Sequence, residues 1–511
     1  MATEKKSFPV SSRHPRFSPA GTSLTPALPF LFLGVALLAA CASDPKPHPR
    51  PVAVPREFSG DTLEKGQRAP DSMGWWKDFR DPALDSLVSL TLGENFDLRG
   101  AWARFRQSVA AAQEAGAARF PRIEATADAS RSRRFLNLGI PQAPSTITTE
   151  RYGISLAARY EVDLWGRLAD LDEAAEIEAA ASRYDVAALA MSLSARVAEV
   201  WYGLVTQRGQ RRLLRDQLAA DSTYLELVRL RFGAGLVSAV DVRRQRQELL
   251  ATAAEIPRVE ARIATLRHQL SVLTGRPPGR GTWRGDTKEL VVPDPPRTAL
   301  PLTVLERRPD VQAAWLRLRA ADHRVAAAVK DRLPALRLNG SLGFDSSDLS
   351  TLFAEWVYSI GTSIVAPLFD GGRRQAAVER QRAAVDAAVA NLGVTLLTSL
   401  REVEDALVRG ARQREHVERV AERLEVAERL LEETRRRYRQ GLTDYLPVLD
   451  AIQTLHRLQR SLLSARHQIV VHRIQLYRAL GGRWLDELEP GRASPASDSG
   501  LLPAPAEGSD D

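Results

Sequence analysis

From Tyr152 to Val162 the chain alternates: Tyr152, Ile154, Leu156, Ala158, Tyr160 and Val162 are apolar or aromatic, with Gly153, Ser155, Ala157, Arg159 and Glu161 between them. A period of two gives a strand with one greasy face and one wet face. After Trp165 and Gly166 the period becomes helical, which makes these two residues a hinge between strand and helix. The same alternation runs through Ile123 to Ser130, Leu336 to Asp345 and Trp356 to Ile364. Four strands are expected, at about 122–131, 152–163, 336–345 and 356–367, each of about ten residues, enough to cross a bilayer when tilted. Tyr152, Tyr160, Trp356 and Tyr358 lie on the greasy faces, where aromatic girdles meet the membrane surface. Segment Arg131 to Arg151, with Pro141, Pro144 and a Ser/Thr cluster, reads as an exposed connection.

Beyond the hinge, residues 167–232 carry no proline and read as one helix of about 100 Å at the usual rise. Ile177, Ala181, Tyr184, Ala188, Met191, Ala195, Ala198, Tyr202 and Val205 recur at alternating spacings of four and three, a heptad seam. A second line, Val186, Leu189, Leu193, Val197, Val200 and Leu204, occupies another side. Two seams require a neighbour on each side, as in a cylinder of helices. Val385, Val389, Leu392, Leu396, Ser399 and Val403 repeat the spacing later in the chain. Helices at about Leu98 to Arg119 and Ser238 to Thr274 would together span about 90 Å, so two short helices fit beside each long one.

The chain is internally duplicated. Arg167, Gly235 and Gly275 match Arg373, Gly441 and Gly481 at a constant offset of 206, while Asp97, Trp102 and Pro121 match Asp310, Trp315 and Pro334 at 213. A fixed offset over such a length is the mark of a repeat. The second hinge falls at Gly371 and Gly372. The organisation expected is a leader over 1–40, a linker over 41–70, a first repeat over 71–275, an equatorial linker over 276–304, a second repeat over 305–482 and a tail over 483–511.

Charged residues make up 26% of the 511, which excludes a polytopic helical membrane protein. The net charge of +8 is spread among acids along the helices, so no nucleic acid partner is expected. The apolar run Phe30 to Ala40 is too short to span a bilayer and reads as a signal region. It ends at Cys41, the only cysteine, directly after small residues. That placement resembles the bacterial lipobox, which implies a covalent lipid on Cys41 as the only prosthetic group and, with Ala42 next, sorting to the outer membrane. Residues Ser43 to Pro55 then form a tether.

Four strands cannot close a barrel around a lumen, and an open sheet in hydrocarbon leaves backbone groups unpaired. Several chains must contribute to one barrel; three would supply twelve strands in a closed ring. The fold class expected is mainly α with membrane β: four transmembrane strands given to a trimeric twelve-stranded barrel, with the long helices packed side by side in a cylinder.

Trp75-Trp76 to Pro82, Tyr160-Glu-Val-Asp-Leu-Trp-Gly-Arg167, Arg231 to Asp241, Leu305-Glu-Arg-Arg-Pro-Asp310, Pro367-Leu-Phe-Asp-Gly-Gly372 and Tyr438-Arg-Gln-Gly441 resemble the TolC-like outer-membrane factors, in their lipid-anchored drug-efflux branch. The resemblance implies a homotrimer in outer-membrane lipid, its twelve-stranded β-barrel continuing into a long periplasmic α-helical barrel, docked to a periplasmic adaptor and an inner-membrane RND-type pump. It places the periplasmic tips and adaptor contacts at Gly235, Ser238, Asp241, Gly441, Thr443 and Asp444, and an aperture gate at Tyr438 and Asp450. Thr443 and Pro447 depart from the family pattern, and Ser238 and Asp444 are equally plausible helix N-caps.

No Gly-x-Ser-x-Gly, phosphate loop or His-Glu-x-x-His occurs, the eight histidines are scattered, and Glu402 and Glu404 read as solvated, so no enzyme and no metal site is expected. The function expected is a passive exit duct for small molecules, driven by a partner pump. A protein, peptide or metal-ion duct, or a lipid-anchored coiled-coil scaffold without a pore, are the alternatives.

Overall fold

The computed structural model describes residues 51–55, 58, 74–137, 144–279, 301–482 and 484. Cys41, the leader, most of the equatorial linker and nearly all of the tail lie outside them.

A 3-10 turn, Trp75–Phe79, buries three aromatic rings. Helix α1 (Pro82–Glu94) follows, with proline at its first position and Asp81 capping it by accepting from the Ala83 and Leu84 amides. Helix α2 (Phe96–Ala117), capped by Asn95, ends shortly before Pro121. Strands β1 (Arg122–Asn137) and β2 (Pro144–Val162) lead into α3 (Arg167–Gly233) and α4 (Ala239–Leu273). The second copy runs through α5 (Pro301–Arg307), α6 (Pro309–Lys330), β3 (Ala335–Ser346), β4 (Trp356–Val365), α7 (Arg373–Arg439) and α8 (Tyr445–Leu480). The duplication is visible in the bounds: α3 and α7 have 67 residues each, offset by 206, and α2 and α6 have 22 each, offset by 213.

The four strands form one antiparallel sheet in chain order. Register puts Ala125, Leu156, Leu342 and Tyr358 in one row and Ala127, Ile154, Phe344 and Trp356 in the next, so the apolar positions share a face. The opposite face is knitted by polar pairs: Thr126 with Ser155 and Ser341 with Ser359, both at 2.8 Å, and the Arg151 to Asp345 salt bridge. Among the described residues only Phe353, against the Phe344 ring at 5.3 Å, packs ring on ring with this face, and the rest lies open; Ile360 is 87% exposed and Ile364 73%. Among the described residues no strand pairs with the sheet's outer edges, on β1 and β4.

Two strands are longer than the alternation indicates. The stretch expected as a connection is mostly ladder: Arg131 pairs with Glu150 and Arg133 with Thr148, and only 138–143 lie outside the description. Proline and Ser/Thr misled here, because Pro144 opens its strand, where its missing donor is harmless, and threonine suits a pleated surface. In the second copy β4 stops at Val365, two residues early, ahead of Pro367.

Both seams of α3 are used. Ile177, Ala181, Met191, Ala195, Ala198, Tyr202 and Val205 are buried from one, and Val186, Leu193, Val197, Val200 and Leu204 from the other. They face several neighbours, since α3 packs against α2, α4, α6 and α8. The largest core cluster gathers Trp75, Trp76, Phe79, Trp201, Tyr202 and Tyr477 around the middle of α3. Trp484, at the start of the expected tail, belongs to it, 6.0 Å from Trp76 and 1% exposed. Part of the expected tether is also packed: Pro51 and Val52 lie against Gly393 of α7, and Phe58 is buried.

Candidate functional site

The strand-to-helix hinge is built twice on left-handed glycines. Gly166 caps α3 at φ 73°, and Gly371 and Gly372 precede α7 at 64° and 84°, where a side chain would be strained. Trp165 Nε1 donates to the Pro334 carbonyl at 2.7 Å, tying the first hinge to the root of β3. Ion pairs brace the corner: Arg167 with Glu161 at 2.6 Å, Lys330 with Asp170 at 2.6 Å, and Arg374 with both Asp370 and Asp331. Burial opposes ionisation of Asp370, but hydrogen bonds from Arg374 outweigh it and hold the carboxyl below its usual range. The hinge is therefore a fixed elbow.

At the far ends of the long helices the two turns share one motif. The Gly235 amide donates to Phe232 O and the Leu236 amide to Arg231 O; Gly441 and Leu442 repeat this with Tyr438 O and Arg437 O. Both glycines sit at φ 72°. This is the Schellman ending, which satisfies the last carbonyls of a helix. The following helices begin differently. Ser238 and Asp241 form a full capping box, the Ser238 amide donating to Asp241 Oδ2 at 3.0 Å and the Asp241 amide to Ser238 Oγ at 3.3 Å. Asp444 occupies the N-cap of α8 without a side-chain cap bond, and Thr443 beside it is half-buried. Leu230, Phe232, Leu236, Leu442 and Leu446 are exposed around these turns.

The two gate candidates sit in different surroundings. Tyr438 is buried in a cluster with Val228, Leu431, Tyr445 and Ile452, its ring 5.5 Å from that of Tyr445 and under the Arg231 guanidinium at 4.3 Å. Its hydroxyl has no hydrogen-bond partner among the described residues. Asp450 is exposed. The structure thus brings Tyr438 together with Arg231 and Tyr445 rather than with Asp450. Arg231 was readable as part of the tip motif, but its place over the ring was not.

One cluster that pattern reasoning passes over lies where α5 meets α6. Arg308, 4% exposed, makes two hydrogen bonds to Asp310, one to Glu402 at 2.9 Å and one to the Ala479 carbonyl at 2.9 Å. Glu402 also accepts from Arg478 at 3.1 Å, so it is gripped from two helices rather than solvated. Burial alone would lower the Arg308 pKa; Asp310 and Glu402 outweigh it and raise the value. The Arg-Arg-Pro-Asp run pointed to this place without giving its partner.

The comparisons agree with this geometry. A family profile described as "Outer membrane efflux protein" matches residues 87–276 and 300–482. The pyoverdine export outer membrane protein OpmQ of Pseudomonas putida is 31% identical over 462 residues, covering 88% of this chain and 96% of its own. The probable outer membrane lipoprotein SilC of Salmonella typhimurium is 26% identical over 464 residues, covering 88% and 98%. Among solved structures, the outer-membrane channel OprN superposes with a TM-score of 0.80 at 28% identity, over 87% of this chain and 100% of that one.

Proposed function

Because the chain belongs to the outer membrane efflux protein family, we propose that three copies of it form the passive exit duct of a tripartite efflux system. It is an outer-membrane component of such a system by family, and a channel subunit rather than an enzyme. One observation carries the finer reading: a four-stranded sheet with a largely open apolar face, a hydrogen-bonded polar face and two edges unpaired among the described residues, rooted by fixed elbows on helices of about 100 Å. Water would leave the apolar face unsatisfied and lipid would leave the edges so. Pairing β1 of one copy with β4 of the next removes the edges, and three copies give twelve strands with the polar faces lining the lumen.

The helical part supports the same assembly. Within α7 an 18-residue stretch has a mean hydropathy of 1.5 and is only 28% buried, with Val394 and Leu397 more than half exposed. By length and hydropathy alone it would pass for a membrane span. Its helix, however, packs along α6 and α8, and the sheet already supplies the crossing. A sister copy is the better cover for this face.

In this reading Cys41 carries the lipid anchor. The turns at Gly235 and Gly441, with their exposed leucines, meet a periplasmic adaptor that links to an RND-type pump in the inner membrane. The relative OpmQ is a pyoverdine export protein; a wide wet tube selects by size and charge, and the pump chooses what enters it. The test is to place cysteines at Thr126 and Ser359, on the polar faces of β1 and β4, and treat intact cells with a short bismaleimide. Dimer and trimer bands are expected, together with ion conductance from the purified trimer in planar bilayers. Monomer bands alone, or a purified protein that does not conduct, would overturn the duct.

A further inference from the structure

Three residues far apart in sequence meet between α3, α4 and α8. Asp221 of α3 is fully buried and His456 of α8 is 5% exposed, while Glu248 of α4 is half-buried. Their ligand atoms all lie within 4.8 Å of one another. Asp221 Oδ2 accepts from Thr252 Oγ1 at 2.9 Å, and Glu248 Oε2 accepts from Gln453 Nε2 at 2.7 Å. The facing atoms are unsatisfied: Asp221 Oδ1 and His456 Nδ1, 4.0 Å apart, have no hydrogen-bond partner among the described residues. Buried polar atoms left this way are costly, and two of them 4.0 Å apart have room for a shared occupant.

We propose that Asp221, Glu248 and His456 form a binding site for a divalent transition cation of the zinc class. Two carboxylates and one imidazole are the donor set such a cation takes, at about 2.0–2.2 Å, with water in the remaining position. An edge of about 3.4 Å between donors follows from those lengths, so ligand atoms now within 4.8 Å of one another need to close by up to about 1.4 Å. A hard cation such as Mg2+ is a poorer fit, because it keeps several waters and prefers oxygen.

The surroundings hold the donors in place. Gln245 Nε2 donates to the Asp221 carbonyl at 3.0 Å and its Oε1 accepts from Tyr445 at 2.6 Å. Gln217 Nε2 donates to the His456 carbonyl at 3.2 Å, and Arg460 donates at 2.8 Å to Gln217 Oε1. Such an outer layer of hydrogen bonds orients ligands. Asp221 lies about 20 Å along α3 from the Gly235 turn and His456 about 18 Å along α8 from Asp444. A bound ion would staple three helices just behind the tips.

The test uses the full-length trimer in detergent, without a histidine tag, stripped with EDTA and dialysed. Titration with Zn2+ alone is expected to load one ion per chain and to raise the melting temperature, with Mg2+ doing neither. Co2+ should give visible d–d absorption that Zn2+ quenches. Asp221→Asn and His456→Gln are expected to weaken Zn2+ binding at least 10-fold, whereas His416→Gln, at an exposed histidine, leaves it unchanged. Glu248→Gln, at the least buried ligand, is the variant to rely on if the other two fail to trimerise. Loading of less than one ion per chain, or equal binding by wild type and Glu248→Gln, overturns the site. Neither result bears on conduction, so the duct stands or falls separately.

Discussion

Replacing Arg308 by alanine isolates what the buried clamp contributes. The guanidinium is 4% exposed and makes four hydrogen bonds, to Asp310, Glu402 and the Ala479 carbonyl, tying the start of α6 to α7 and to the last turn of α8. Removing one member of a buried ion pair costs about 3–5 kcal/mol, because the partner is left desolvated. The lower end applies here, since Glu402 keeps Arg478 at 3.1 Å and Asp310 is 34% exposed and reaches water. Unfolding entropy of about 2.1 cal/mol/K per residue, over roughly 400 residues, makes each kcal/mol worth about 1 °C. Arg308→Ala should therefore melt about 3 °C early, followed by near-UV circular dichroism of the detergent-solubilised trimer. Glu402→Gln should melt earlier by less, and the double variant Arg308→Met with Glu402→Leu should recover part of the loss, because no charge remains stranded. A wild-type melting temperature for Arg308→Ala would refute the clamp. So would a double variant worse than the sum of its parts.

Gly275→Ala puts a methyl 2.5 Å from the Glu94 carbonyl at φ 69°, whereas Gly235→Ala, at φ 72°, meets open space. The second should cost about 1–2 kcal/mol and the first more, read as the gap between their melting temperatures. Tyr438→Phe removes a buried hydroxyl that has no partner among the described residues, so stability should hold or rise slightly, while Tyr438→Ala should loosen the tip cluster and raise conductance in planar bilayers. Ser238→Ala breaks the capping box and should cost about 1 kcal/mol without changing conductance. Cys41→Ser should lose labelling by radioactive palmitate while the sheet still inserts, assayed by heat-modifiable migration on gels.

Much of this architecture can be read from the chain because its elements are long and strictly periodic. The seam from Ile177 to Val205 has few alternatives to a packed helix, and the constant 206 offset fixed the second copy once the first was known. The hinge glycines were legible for a related reason: a change of period marks them, and only glycine tolerates the turn. What escaped was everything set by distant partners. The β1–β2 ladder outran its alternation because pairing, not pattern, holds Arg131 to Glu150. Glu402 looked like one acid among many on a charged helix until Arg308 and Arg478 came to it from elsewhere. His456 looked scattered because Asp221 and Glu248 lie more than 200 residues earlier in the chain. The two glycine turns at Gly235 and Gly441 were legible as turns rather than as contacts: which side chains close over one another depends on how four helices converge.

The two raw borders of the sheet also govern the protein's life before it reaches its destination. A lone subunit in transit offers a strand template at each side, and head-to-tail addition of sisters could continue without limit as a fibre unless the ring closes. In the proposed trimer, closure of the ring is also a quarantine. Insertion into lipid and meeting one's sisters would then be nearly a single event, and a cell that makes subunits faster than they meet should accumulate clumps rather than soluble monomers.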